Sequence, residues 1–237
     1  MKLMRTATAT VLGLAIFWCL ALIVLGNPLW QWSIAVMGGC MTLAIFLKAL
    51  HIGRDTLRGR FHVILSSGLG LVTISIIATL LEIPQPIMVT LHCFARIILL
   101  LSVTLMFLGL KKQGYSLSAY EWGEVLLVYL TLSATGLWFF YVTFEVTDLL
   151  LTLLIYLSLT VLLVTISVVR IYLGSNIGWL WTAGAVGVLF ITLGDMGMAY
   201  GYSTSLNPST SAALEMLQYG SWGVLGIILT CVGLNVD

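Results

Sequence analysis

The sequence predicts an all-α integral membrane bundle of eight transmembrane helices with both termini in the cytoplasm, and three observations carry that prediction. Hydrophobic residues make up 60% of the 237 and charged residues only 8%, with a mean hydropathy of +1.11. A soluble domain carries about 25% charged residues, so this chain could not cover a water-facing surface. The apolar residues also come in solid runs close to the ~20 residues a helix needs to cross hydrocarbon. Finally, the basic residues gather at alternate connectors, which places them on one side of a bundle. Length alone allows one or two domains. Nearly every residue falls in an apolar run or a short connector, so residues 1–237 read as one helical domain. No polar stretch is long enough for a soluble catalytic domain. The runs do not alternate as the strands of a membrane β-barrel would.

The first run, Ala7–Gly26, follows Lys2 and Arg5 in the manner of a signal peptide. It exceeds the ~7–15 residues of a signal core, and no small-x-small cleavage site precedes Asn27-Pro28, so it reads as a retained helix. The second span is Trp30–Leu50, entered through Gly26-Asn27-Pro28. The third, Phe61–Glu82, and the fourth, Ile87–Leu110, are divided by Pro84-Gln85-Pro86. Trp122–Tyr141 and Leu149–Arg170 form the fifth and sixth. The seventh, Gly178–Tyr202, follows Gly174-Ser175-Asn176, and the eighth, Ala213–Val236, follows Asn207-Pro208-Ser209. These breaks are rich in the residues that end helices and make turns.

Orientation follows from charge. Lys2 and Arg5 precede the first span, and Lys48, Arg54, Arg58 and Arg60 surround the connector between the second and third. Lys111 and Lys112 follow the fourth, and Arg170 ends the sixth. The opposite connectors, around Asn27, Pro84, Glu145 and Asn207, carry no Lys or Arg. Nine of the ten basic residues therefore lie on one side, which the positive-inside rule assigns to the cytoplasm. A seven-span count would break that partition. Arg54, Arg58 and Arg60 are placed to meet anionic headgroups, making membrane lipids the first expected partner.

Small residues indicate close packing. Gly184, Gly187, Gly194, Gly197 and Gly201 in the seventh span, and Gly220, Gly223 and Gly226 in the eighth, recur at spacings that let backbones approach. Trp30, Trp32, Trp122, Trp138, Tyr141 and Tyr202 fall near helix ends, as in an interfacial aromatic belt. The four cysteines, Cys19, Cys40, Cys93 and Cys231, are isolated within apolar runs. They read as buried free thiols rather than as disulfides or metal ligands.

The tenth basic residue, Arg96, lies inside the fourth span, with His92 one turn earlier on the same face. Arginine near a helix centre costs roughly 2.5–3.5 kcal/mol on insertion scales and normally faces the interior, where it finds an acid. Asp195 in the seventh span lies at a similar depth, counted at ~1.5 Å per residue. Glu82, at the external end of the third span, is the rival partner. The expected cluster is therefore Arg96, His92, Asp195 and Glu82, as a polar pocket toward the external side or as a plain interhelical clamp. Glu145 and Asp148 mark the external mouth, where Thr147-Asp148 also suits a helix N-cap. Glu121 and Glu124 open the fifth span, where negative charge favours a first helical turn.

Several chemistries are excluded. A rhodopsin-type retinal site needs a lysine in its last core helix, whereas Lys2, Lys48, Lys111 and Lys112 all sit at the cytoplasmic side. A haem b site needs two histidines at matching depth. Only His51 and His62 match, and histidines flanking a connector read as interfacial. No HExxH, GxSxG, P-loop or Cys-His metal spacing occurs, so no catalytic residue, metal or cofactor is expected. No nucleic-acid partner is expected either.

Three stretches of the last third carry a resemblance. They are "FEVTDLLLTLLIYLSLTVLL", "LWTAGAVGVLFITLGDMGMAYGY" and "LEMLQYGSWGVLGIILTCVGL". Over residues 141–236 they resemble the multi-helix sensory modules at the N-termini of bacterial diguanylate cyclases and some histidine kinases. In those modules one aspartate opens a helix, another lies within the next, and a Trp-Gly-like element marks the last. Asp148, Asp195 and Trp222-Gly223 match in order, while no proline precedes Asp148. The resemblance implies a sensory or ligand-binding role in a bacterial cytoplasmic membrane. In those modules an output domain follows at the position of Asp237, so the resemblance implies signalling either through such a domain in a longer chain or through a separate membrane or cytoplasmic protein. Gly194-Asp195 also resembles the lysoplasmalogenase family, which implies hydrolysis of vinyl-ether lysolipids. The remaining class is an accessory subunit of a larger membrane complex.

Overall fold

Hydrocarbon offers backbone N–H and C=O groups no partner, so a chain this apolar satisfies them within helices. The computed structural model describes residues 29–138 and 148–172, together with 188, 189, 192, 195 and 196. Every regular element among the described residues is an α-helix: α1 (Leu29–Ile52), α2 (Leu57–Leu80), α3 (Gln85–Lys112), α4 (Ala119–Trp138) and α5 (Leu149–Tyr172). They correspond to the second through sixth expected spans. Three contain segments long and apolar enough to cross a membrane, namely Gly59–Leu80, Gln85–Lys112 and Leu149–Ile171. The first and eighth spans, most of the seventh, and the glycine faces expected to join the last two lie outside the described residues.

Local chemistry sets the helix ends. α2 starts at Leu57 rather than Phe61 because Thr56 caps it, its Oγ1 accepting from the Gly59 N–H at 2.9 Å. Arg58 and Arg60 thereby join the first turn of the helix instead of its connector. At α3, Pro86 occupies an early position where no intrahelical N–H is needed. Lys111 and Lys112 fall in its last turn, where positive charge meets the negative end of the helix dipole. α4 opens on a reciprocal capping box. The Ser118 N–H donates to Glu121 Oε2 at 2.7 Å, and the Glu121 N–H to Ser118 Oγ at 3.3 Å.

The C-termini of α2 and α3 use the same closing motif with different residues. After α3, Gly114 takes φ +89°, its N–H donating to Lys111 and that of Tyr115 to Leu110. After α2, Glu82 fills the equivalent place at φ +55°, its N–H donating to Thr79 and that of Ile83 to Ala78. A left-handed residue costs roughly 1–2 kcal/mol when it carries a Cβ and almost nothing as glycine. Glu82→Gly is therefore expected to stabilise the protein by about 1 kcal/mol, read as a raised midpoint of thermal unfolding in detergent. An unchanged or lowered midpoint would show that the Glu82 side chain makes a compensating contact.

The short connectors 53–56 and 81–84 make α1, α2 and α3 antiparallel neighbours, with α2 between the other two. α5 packs on α3, and α4 on α5. α3 and α5 meet near the start of α5, where the Cys93 thiol donates to the Leu150 carbonyl at 3.7 Å. One apolar cluster fills the space among α1, α2 and α3, around Ile45, Leu69, Val72 and Ala95. A second joins Val89 and Cys93 of α3 to Leu151, Leu154, Ile155 and Leu159 of α5. Hydroxyls within α2 return to their own backbone, Thr73 to the Leu69 carbonyl at 2.9 Å and Ser75 to Val72 at 2.7 Å. Such back-bonding lets serine and threonine sit in an apolar helix.

Two expectations need correction. Cys40 is exposed, unlike buried Cys93. It lies with Val36, Leu43 and Leu47 on the outer stripe of α1, all three of which are exposed. His62, expected at an interface, is buried because α2 extends back past it and turns it inward.

Candidate functional site

α3 is apolar all round, but one face is turned to the interior. His92, Cys93, Ala95, Arg96 and Leu99 are buried, while Phe94, Ile97 and Leu101 are exposed. Arg96 lies about 16 Å along the helix from Gln85, at ~1.5 Å per residue, which is near the middle of its 28 residues. The residue is only 1% exposed, and Ser158 of α5 and Asp195 are equally enclosed at 1% and 0%.

The guanidinium meets the Asp195 carboxylate as a fork. Nε donates to Oδ2 at 2.9 Å and Nη2 to Oδ1 at 2.8 Å. The Ser158 hydroxyl donates to Asp195 Oδ2 at 2.5 Å and accepts from Arg96 Nε at 3.2 Å. Parallel N–H···O bonds of this kind give the strongest and most directional ion pairs. Three separate helical segments thus converge on one carboxylate, and the net charge of the group is zero.

Satisfaction is lopsided. Both Asp195 oxygens are held, whereas Arg96 Nη1, His92 Nδ1 and Ser133 Oγ are buried and find no hydrogen-bond partner among the described residues. His92 sits one turn before Arg96 on the same face and is 2% exposed. Ser133 belongs to α4, whose buried residues are Val125 and Ser133. Because α4 runs antiparallel to α5, with Glu121 and Glu124 opposite Arg170, Ser133 stands at the depth of Ser158. Leaving a buried polar atom unpaired costs about 1–3 kcal/mol, so the unpaired Arg96 Nη1 in the ion pair, and His92 Nδ1 one turn from it, need a reason.

The other expected site residues are dispersed. Glu82, the rival partner for Arg96, is an exposed turn residue whose backbone closes α2. It takes no part in the pair, because its place in the closing motif fixes it at the end of the helix. Asp148 is the N-cap of α5, its Oδ1 accepting from the N–H groups of Leu150 and Leu151 at 2.8 and 3.0 Å. Glu145 lies outside the described residues. Nor do Arg96, His92 and Asp195 line an open cleft, since all three are closed to solvent. Among the described residues no group of His, Cys, Asp and Glu could hold a metal ion.

A second charge cluster escaped the sequence. Arg170 reaches Glu121 at 3.1 Å and Glu124 at 2.7 Å, tying the end of α5 to the start of α4. The Ser118 N–H and hydroxyl hold the Glu121 carboxyl below its ordinary range, with Arg170 adding to the effect. The side chains are part-exposed, so the pairing contributes little stability. The Ser-x-x-Glu spacing at 118–121 was the legible half of the arrangement.

No protein family, curated protein or solved structure matches the chain.

Proposed function

We propose that the protein is a non-catalytic multi-pass membrane protein that acts as a sensory or ligand-binding module in a bacterial cytoplasmic membrane. On this reading it crosses eight times, with both termini cytoplasmic and its polar site in the external half. The observation that carries the reading is the buried Arg96–Asp195–Ser158 group with unpaired polar atoms beside it. Ionisable groups placed within a membrane are costly and mark function by default. A clamp serving only to hold helices together would have no use for an open guanidinium nitrogen next to a buried imidazole. The one-sided distribution of nine of ten basic residues supports the topology, and the order of Asp148, Asp195 and Trp222-Gly223 supports a sensory role.

The hydrolase reading is weaker, because Asp195 is closed to solvent and tied to Arg96 and Ser158, whereas a general acid or base must come within hydrogen-bond reach of its substrate. An accessory-subunit role keeps one supporting observation. α4 exposes Tyr120, Leu126, Leu127, Leu130 and Trp138 along its length, a surface that suits lipid or a neighbouring membrane protein.

The test is complementation in a strain lacking the gene, read as reversal of the transcript changes that deletion produces. Arg96→Lys keeps the charge but loses the fork. The sensory reading expects this variant to reach wild-type abundance in the membrane and to fail to complement. Full complementation would reduce the pair to a structural clamp, and turnover of lysolipid by the purified protein would favour the hydrolase.

A further inference from the structure

The unpaired atoms also define what the site would accept, an inference that rests on the ligand-binding reading above. Arg96 Nη1 carries donors, and an imidazole N–H at His92 Nδ1 and the hydroxyl at Ser133 Oγ can each donate as well. What is missing is an oxygen acceptor. Charge limits its nature, because Arg96 and Asp195 already cancel at 2.8 Å. A bound anion would leave one net charge buried among apolar groups, at a cost that its hydrogen bonds would not offset. The surroundings limit its body. Val89, Leu151, Leu154, Ile155 and Leu159 form the second apolar cluster around the external halves of α3 and α5, and the polar group is closed to water. One wall is adaptable. Met196, the neighbour of Asp195, rests against Gly136 of α4, its Sδ 3.1 Å from where a Cβ on that glycine would stand. An unbranched thioether repacks readily, so this contact between the neighbour of Asp195 and α4 can yield to a ligand.

We propose that Arg96 Nη1 and His92 Nδ1, with Ser133 at the same depth, form the head-binding end of a site for a neutral, lipid-soluble carbonyl compound. Such a molecule enters from the bilayer and presents its carbonyl oxygen to the guanidinium. Its apolar body lies along the Leu154–Ile155 face of α5. A quinone ring and a protonated fatty acid share this chemistry.

The experiment uses the full chain in lipid nanodiscs and follows thermal unfolding with decylbenzoquinone, with palmitic acid at mildly acidic pH, and with succinate. One of the first two probes is expected to raise the wild-type midpoint by several degrees, and which one does so identifies the source of the carbonyl. His92→Leu removes an unpaired buried polar atom and leaves the ion pair intact. It is expected to unfold no earlier than wild type while binding the active probe about tenfold more weakly, the effect of losing one hydrogen bond to a buried site. Ser133→Ala provides a second variant with the same expected direction. Equal probe-induced shifts in wild type and both variants would overturn the proposal, as would no shift with either lipid-soluble probe. A shift with succinate alone, abolished by Arg96→Lys, would overturn the ligand class and leave the ligand-binding reading standing. No shift with any probe, combined with full complementation by Arg96→Lys, would overturn both.

Discussion

Replacing Asp195 with alanine is expected to destabilise the protein by about 3–5 kcal/mol, the cost of leaving a buried charge without its partner. The expectation follows from enclosure. Arg96 is 1% exposed and lies near the middle of α3, too far from either helix end to carry its charge out of the interior. Without the carboxylate, Nε keeps only Ser158, and Nη2 loses its acceptor at 2.8 Å. Asp195→Asn should cost less, because the amide oxygen still accepts one guanidinium hydrogen bond while the opposing charge is gone. Thermal unfolding in nanodiscs gives the order wild type, then Asn, then Ala. Equal midpoints for all three would show that the pair contributes nothing to folding.

The second large effect is expected at the turn between α1 and α2. A Cβ on Gly59 would stand 2.0 Å from the Gly53 carbonyl oxygen. That oxygen is anchored, since it accepts from the Thr56 N–H at 3.1 Å and from the Thr56 hydroxyl at 2.8 Å. The same hydroxyl caps α2 by accepting from Gly59 itself. Alanine is normally better than glycine in a helix by about 0.5–1 kcal/mol. Here its methyl would displace backbone and break the cap, so Gly59→Ala is expected to destabilise by about 2–3 kcal/mol, in the range of overpacked sites. Gly123→Ala is the control. It lies in α4 with nothing within 4 Å of its added Cβ and should gain about 0.5–1 kcal/mol. If both variants shifted the midpoint in the same direction, the close approach at Gly59 would be refuted.

These two sites show where the sequence was legible and where it was not. The helices from Leu29 to Tyr172 could be read because their apolar runs have helical length, three of them containing segments long and apolar enough to cross a membrane. Their ends were read less well. Thr56 extends α2 by a full turn, and a glutamate closes its other end where glycine is the usual signal. Arg96 and Asp195 could be paired in advance because a charge at that depth has few acceptable partners. Ser158 could not, since a lone serine in an apolar run more often bonds to its own backbone, as Ser167 does. Glu82 misled for a related reason. Proximity along the chain made it a candidate, but the closing geometry of α2 holds it at the surface. Arg170 looked like a simple topology marker until α4 placed Glu121 and Glu124 opposite it.

Arg96 and Asp195 form one coupled unit in the interior of the bundle, and a double-mutant cycle measures that coupling directly. Arg96→Met, Asp195→Leu and the double variant would be unfolded reversibly in the same nanodiscs. Because replacing both buried charges with apolar side chains is often neutral or stabilising while breaking the pair is not, the double variant is expected within about 1 kcal/mol of wild type. Each single variant is expected to lose about 3 kcal/mol or more. A double variant whose loss equals the sum of the two single losses would contradict the pairing.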